Sequence, residues 1–177
     1  MRVILTHMNI FVLDKDPYVA AQMMCDKHVV KMILEGCQML STVHSLDVVQ
    51  DNKPALYKPC FHNHPCTIWA RASKSNYYWL ANHTFELTEE YTARYEKIHK
   101  STSMAHWFKH NSSSNLPNNI CTDFAQAMPE QYKNVDAVAA YRAYYLGEKA
   151  RFAKWKLGNA PEWFTSQVSS DELVQTP

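Results

Sequence analysis

Glycine is scarce, at 3 of 177 residues. A phosphate-cradling loop needs several glycines close together, so neither a Walker A loop nor a dinucleotide-binding fingerprint is present. No apolar run approaches the roughly 18 residues of a spanning helix, which excludes a helical transmembrane protein. The stretch Met1–Phe11 is broken by Arg2, His7 and Asn9 and lacks the apolar centre of a secretory signal, so the chain is expected in the cytoplasm. An excess of one charge is also missing: Lys+Arg is 18, Asp+Glu is 17 and the net charge is +1. That excludes a uniformly basic nucleic-acid binder and leaves room for a local basic patch. The five cysteines are odd in number and form no C-x-x-C pair, so they read as reduced thiols. What is plentiful is aromatic: ten Tyr, five Trp and seven Phe.

Length suits one domain of about 100–200 residues. The pattern predicts a mainly α fold, a single compact helical domain with at most one short N-terminal strand, Asn9–Leu13. Residues 1–7 read as an N-terminal extension, 8–164 as the domain and 165–177 as a disordered polar tail. Asp16 before Pro17 is a helix start, with a capping side chain and then a proline whose missing N–H costs nothing there. That short helix is expected to run through Met24. Asp26 reads as the N-cap of a second helix reaching about His44. Residues 47–60 read as a loop. A third helical region runs from Pro65 to about Lys100, bent near Ser73–Asn76, with Tyr77, Leu80, Leu87, Tyr91 and Ile98 at helical spacing. Residues 101–134 are rich in Asn, Ser and Pro and are expected to form a long mobile connection. Asp136 caps a final helix to about Lys156.

The second helix is the most informative segment. At about 100° per residue, Val29, Val30, Met32, Ile33, Leu34, Cys37, Met39, Leu40 and Val43 fill an arc of roughly 220°. His28, Lys31, Glu35, Gln38 and Thr42 fall at spacings of three and four on one narrow line. A surface helix has the opposite proportions. The helix is therefore expected to be mostly buried, with its polar line facing a groove. One reading of that line is a solvated Lys31–Glu35 pair; the other is a catalytic strip, because a carboxylate on a water-avoiding helix is suited to general-base work.

Asp26-Lys27-His28 followed by Glu35 gives the pattern D-x-H-x6-E. It resembles the first long helix of the bacteriophage pyrimidine-dimer DNA glycosylases of the endonuclease V type. The chain also resembles a group of uncharacterised phage proteins through Leu13–Pro17 (LDKDP), Asp26–Glu35 (DKHVVKMILE), Asn63–Pro65 (NHP) and Arg151–Lys156 (RFAKWK). The glycosylase resemblance implies a compact, helical, metal-free enzyme. Such an enzyme flips a base out of DNA, attacks the sugar C1′ with an amine and cuts the strand through a Schiff base. It implies a catalytic role for Glu35, with His28 near the active site. Two departures stand out. Leu34 occupies the place of a DNA-contacting arginine. The processed N-terminal threonine amine has no counterpart, because this chain begins Met-Arg and Met8-Asn9 offers the alternative start. A glycosylase acting through water is therefore expected in place of Schiff-base chemistry, with Lys31 the nearest internal amine.

Cys60, His62, His64 and Cys66 are zinc-capable by type, but their spacing crowds them and no second half-site follows, so neither a metal nor a cofactor is expected. Asn63–Pro65 is instead expected to cap the next helix. His64 then serves either as a substrate contact facing the groove or as a hydrogen-bonded structural residue. Arg71 with Tyr77, Tyr78 and Trp79, and Lys149 and Lys154 with Trp155, mix cations with flat rings, the combination that holds phosphates and unstacked bases. Tyr141, Tyr145 and Phe152 read as core. These residues together point to a DNA-binding base-excision enzyme. The rivals are a phage enzyme acting on modified bases or free nucleotides through the same strip, and a non-enzymatic module binding nucleic acid or a host protein.

Overall fold

The computed structural model describes residues 8–45, 47, 54–117 and 120–167; the predicted extension 1–7, part of the 47–60 loop and residues 168–177 of the predicted tail lie outside them. The fold is all-α, and no strand occurs among the described residues. Helix α1 is Pro17–Gln22, opened by Asp16, whose Oδ1 accepts the N–H groups of Tyr18 at 2.8 Å and Val19 at 3.3 Å. Helix α2 is Asp26–His44 and is buried along most of its length, including His28, Glu35 and Thr42 of the polar line. Val30 departs from the expected apolar arc and is exposed.

Asp26 is not the N-cap of α2. Cys25 holds that place without a side-chain hydrogen bond. The Asp26 carboxylate is engaged elsewhere, accepting from Arg94 at 3.0 Å and from Lys156 N at 3.2 Å, while Asp26 N donates to Lys154 O at 2.8 Å. Arg94 explains this competition. Its buried guanidinium also donates to the carbonyls of Gln22 and Met24 and to Glu90 Oε2, tying the end of α1 and the start of α2 to the central helix. Charge-assisted bonds of this kind are about twice as strong as neutral ones.

Helix α3 is Pro65–Ala72, and His64 is its N-cap, with Nδ1 accepting Cys66 N at 3.2 Å. The expected bend at Ser73 is a full break. Ser73 is extended, with φ −159° and ψ 161°, and its hydroxyl caps a new helix, α4, Lys74–Tyr95. Residues 101–134 are not one irregular connection. They contain α5, Thr102–His110, which buries only Ala105 and Phe108 and is too short to show a clear period in the sequence. The described residues of 111–129 hold no helix.

Asp136 caps α6, Ala137–Tyr144, as expected. The helix then widens into one π turn, Tyr145–Lys149, and stops well short of Lys156. Residues 162–167 are helical again, so the tail predicted from residue 165 begins inside a helix. Residues 8–13 are buried but irregular. A strand needs a partner ladder, and here Asn9 Oδ1 takes the N–H groups of Ile10 and Phe11 instead.

Helix α4 is central and packs against α1, α2, α3 and α5. Helix α4 leaves no room for a side chain at Gly36 of α2, where an added Cβ would overlap the Thr84 side chain, meeting its Cγ2 at 2.9 Å. Thr84 is fully buried and stiff about χ1. Gly36→Ala should therefore destabilise the protein by about 1–3 kcal/mol, the usual cost of overpacking. Adding Thr84→Ala should recover most of that loss. Urea midpoints of the two variants check this, and an unchanged midpoint for Gly36→Ala would remove the close approach as a constraint.

Candidate active site

The start of α2, the irregular segment 8–13 and the π turn converge on a pocket of about 400 Å³. That lies within the span of about 300–1,000 Å³ typical of small-molecule sites. Its cationic wall is Lys27, Lys31 and Lys149, joined by His28 and His64. Its aromatic wall is Phe11, Tyr144 and Phe152, with Ala127–Pro129 closing one side. Phe11 and Tyr144 lie nearly parallel, 14° apart with centroids at 6.2 Å, and Phe11 stacks on the other side against His28 at 4.3 Å.

Glu35 sits behind this wall, 8 % exposed, held by two lining residues. Its Oε1 pairs with Lys31 Nζ at 3.0 Å and its Oε2 accepts Asn9 N at 3.3 Å. Donors on both oxygens fix the direction of the carboxylate. Asn9 is anchored in turn, with Nδ2 donating to Ala127 O at 2.7 Å. Phe11 takes φ 41°, a region unusual for a bulky residue, and the Asn9 side chain braces it there. Such strain clusters at functional sites.

The π turn aims the C-terminal wall. Tyr145 opens it on the same buried face as Tyr141, four residues earlier, and Tyr144 and Lys149 line the pocket; π turns often occur at functional sites. Lys149 Nζ lies 4.4 Å over the Tyr144 ring and 3.1 Å from its hydroxyl. Gly147 lets the turn pass Tyr132, since a Cβ there would meet Tyr132 Cε1 at 2.7 Å. Lys27 Nζ lies 4.9 Å over Phe152. Burial, then the Lys149 and Lys31 ammoniums, lower the His28 pKa to about 3. His64 is also lowered by burial, with a hydrogen bond to the Met8 backbone pulling the other way.

Of the residues singled out from the sequence, His28, Lys31, His64 and Lys149 line the pocket, and Glu35 stands behind them, paired with Lys31. Lys154 is exposed beyond the turn. Trp155 is half-buried, with Nε1 donating to Met23 O at 3.1 Å. Arg71 donates to His62 O at 2.6 Å and is not among the pocket residues. The aromatic run on α4 is structural. Tyr77 is fully buried and its hydroxyl bonds His44 Nε2 and Asn111 O, both at 2.7 Å. Trp79 is buried against His83, with Nε1 on Lys15 O. Tyr78 is half-buried edge-on to Tyr77. A ring enclosed on all sides of a central helix has no face to offer a base, so the stacking role expected of Tyr77 and Trp79 is corrected. The zinc-capable set does not assemble: His64 Nδ1 is spent on the helix cap, Cys66 is buried with its thiol pushed up to about 12 by burial, and His62 is exposed. No group of three metal-ligating side chains occurs among the described residues.

Sequence reasoning missed Asn9, Phe11, Lys27, Tyr144 and Phe152. Lys27 lies inside the Asp26–His28 motif and Phe152 inside the Arg151–Lys156 segment, so both carried a local signal. The positive φ of Phe11 and the π turn leave no mark in composition or period.

Among the described residues no helix is long and apolar enough to cross a membrane. No curated protein and no solved structure matches the chain. Residues 8–104, more than half of it, match the pyrimidine dimer DNA glycosylase family. The match takes in the polar line of α2, with His28, Lys31 and Glu35, and the His64 cap, and on that span the chain belongs to the pyrimidine dimer DNA glycosylase family.

Proposed function

We propose that the protein excises a damaged pyrimidine from DNA by hydrolysing its N-glycosidic bond, with Glu35 as the catalytic carboxylate. The observation that carries this reading is the buried Glu35 carboxylate behind a cationic, aromatic pocket, held by Asn9 N and Lys31, two residues that line it. DNA phosphates need cations, and Lys27, Lys31 and Lys149 supply them despite the near-zero net charge. A nucleotide turned out of the helix needs flat partners, and the half-buried rings of Tyr144 and Phe152 supply those. In the reaction, water adds to C1′ and passes its proton to Glu35. The C1′–N bond breaks with its electron pair leaving on the base. The carboxylate also stabilises positive charge developing on the sugar.

The test is to incubate the full chain with ultraviolet-irradiated and unirradiated duplex DNA and measure alkali-labile abasic sites. Sites confined to irradiated DNA are the expected result. Their absence, with turnover of free nucleotides instead, would transfer the pocket to the nucleotide-processing reading.

DNA affinity should fall steeply with salt, because the local cations do the work. Lys149→Ala combined with Lys154→Ala should weaken binding and flatten the salt slope by about one unit per lost phosphate contact. Fluorescence anisotropy across a salt series measures both, and an unchanged slope would move the DNA track away from the π turn.

A further inference from the structure

Behind the pocket the hydrogen of a buried phenol has two acceptors within reach, an imidazole nitrogen and a thiol sulfur. Tyr145 is fully buried, and its hydroxyl lies 2.6 Å from His28 Nδ1, accepts Cys25 N at 3.2 Å and is 3.5 Å from Cys25 Sγ. A phenol has a single hydrogen to donate. The imidazole nitrogen is the nearer acceptor and the better one, since thiol sulfur accepts only weakly. Burial raises Tyr145 well above the ordinary phenol range, so the proton stays on its oxygen. His28 is held neutral by burial and by the ammoniums of Lys149 and Lys31. A neutral imidazole that accepts at Nδ1 carries its hydrogen at Nε2. With Nδ1 spent on Tyr145, the Nε2 edge remains for the pocket that His28 lines. Phe11 stacked at 21° and Tyr145 and Phe152 packed edgewise prevent the ring from turning over.

We infer that Tyr145 locks His28 as an uncharged Nε2–H donor facing the pocket, there to hold an acceptor oxygen of the extruded nucleotide. Tyr145 is a positioning residue, and His28 makes the contact. The occupant rests on the proposed function above; the locked tautomer does not. The two charges that act on the ring, the Lys149 and Lys31 ammoniums, both favour the neutral form. Lys27 and Lys31 come from its own helix, Lys149 from the π turn, and His64 from the cap of α3. Cys25 and Tyr145 lie on the far side, and Glu35 is paired with Lys31. A neutral donor gives direction without adding a further cation to a site that already holds three lysines, and its hydrogen bond does not change across the physiological pH range.

The acceptor is either a pyrimidine carbonyl or a phosphate oxygen, and the experiment separates them. Nitrogen NMR of the ¹⁵N-histidine-labelled full chain, with His28→Gln for assignment, should show His28 protonated at Nε2 and bare at Nδ1, unchanged from about pH 5 to pH 8. A proton on Nδ1, or a titration in that window, would overturn the inference. Tyr145→Phe keeps the ring and removes the proton, so the single-tautomer pattern should be lost; its persistence would overturn the lock. Thymidine, inorganic phosphate and thymidine 5′-monophosphate are then added separately to the wild-type chain. A shift of the Nε2 signal with thymidine assigns the carbonyl, and one with phosphate assigns the phosphate. No response to any of the three overturns the donor role. Because no readout here is enzymatic, a wrong tautomer would leave the proposed function standing, and a correct one would survive the loss of that function.

Discussion

Glu35→Gln should reduce abasic-site formation in irradiated DNA by about 10²–10⁴-fold, the range that positioned acid–base groups contribute. The substitution preserves volume, and the new amide oxygen can still accept from Asn9 N. What it removes is the negative charge that takes a proton from water and balances the developing cation at the sugar. It also releases Lys31, whose Nζ stands 3.0 Å from Glu35 Oε1. Affinity for DNA should hold or rise slightly, since a carboxylate near the phosphate path has been neutralised. Rate and anisotropy measured on one preparation test both halves. A rate within tenfold of the wild type, at unchanged affinity, would exclude Glu35 as the catalytic carboxylate.

Schiff-base chemistry should depend on where the chain begins. An amine that attacks C1′ must be unprotonated and within reach of the sugar. With Met8 before it, Asn9 N is an amide, 3.3 Å from Glu35 Oε2, and an amide is not a nucleophile. Lys31 Nζ is held in an ion pair with Glu35 Oε1 at 3.0 Å. The full chain should therefore give little or no covalent adduct when borohydride is added on abasic DNA. A chain that begins at Asn9 would place an α-amino group at the same point, with an ordinary pKa of about 7.7–8.0. Such a chain should trap readily, rising from background to a major fraction of the DNA. A strong adduct in the full chain that disappears with Lys31→Met would overturn the argument and make Lys31 the nucleophile.

The two experiments address different atoms of the same small cluster, and that cluster was only half legible beforehand. The narrow polar line on α2 was readable because helical periodicity converts spacing into direction. His28, Lys31 and Glu35 had to share a face, and a helix so apolar elsewhere had to be buried. The caps at Asp16 and Asp136 and the capping turn Asn63–Pro65 were readable for a similar reason, since a cap acts within three residues of itself. Tyr77 and Trp79 misled, because composition cannot distinguish rings that fill a core from rings that line a site. Only the central position of α4 decides that.

What the amino-acid sequence by itself determined is therefore what short-range chemistry determines: an all-helical chain, most of its helix starts, and one buried helix with a reactive edge. Tertiary structure decided which groups meet that edge. Asn9 reaches Glu35 across 26 residues and Tyr145 reaches His28 across 117. Arg94 draws Asp26 away from a capping role that local rules assign to it. The π turn and the left-handed backbone at Phe11 set the pocket walls, and neither has a compositional signature. The physical reason is one of range. Backbone preference and capping are decided by neighbours along the chain. Desolvation, hydrogen-bond partnership and the proton position on His28 depend on groups that only packing brings together.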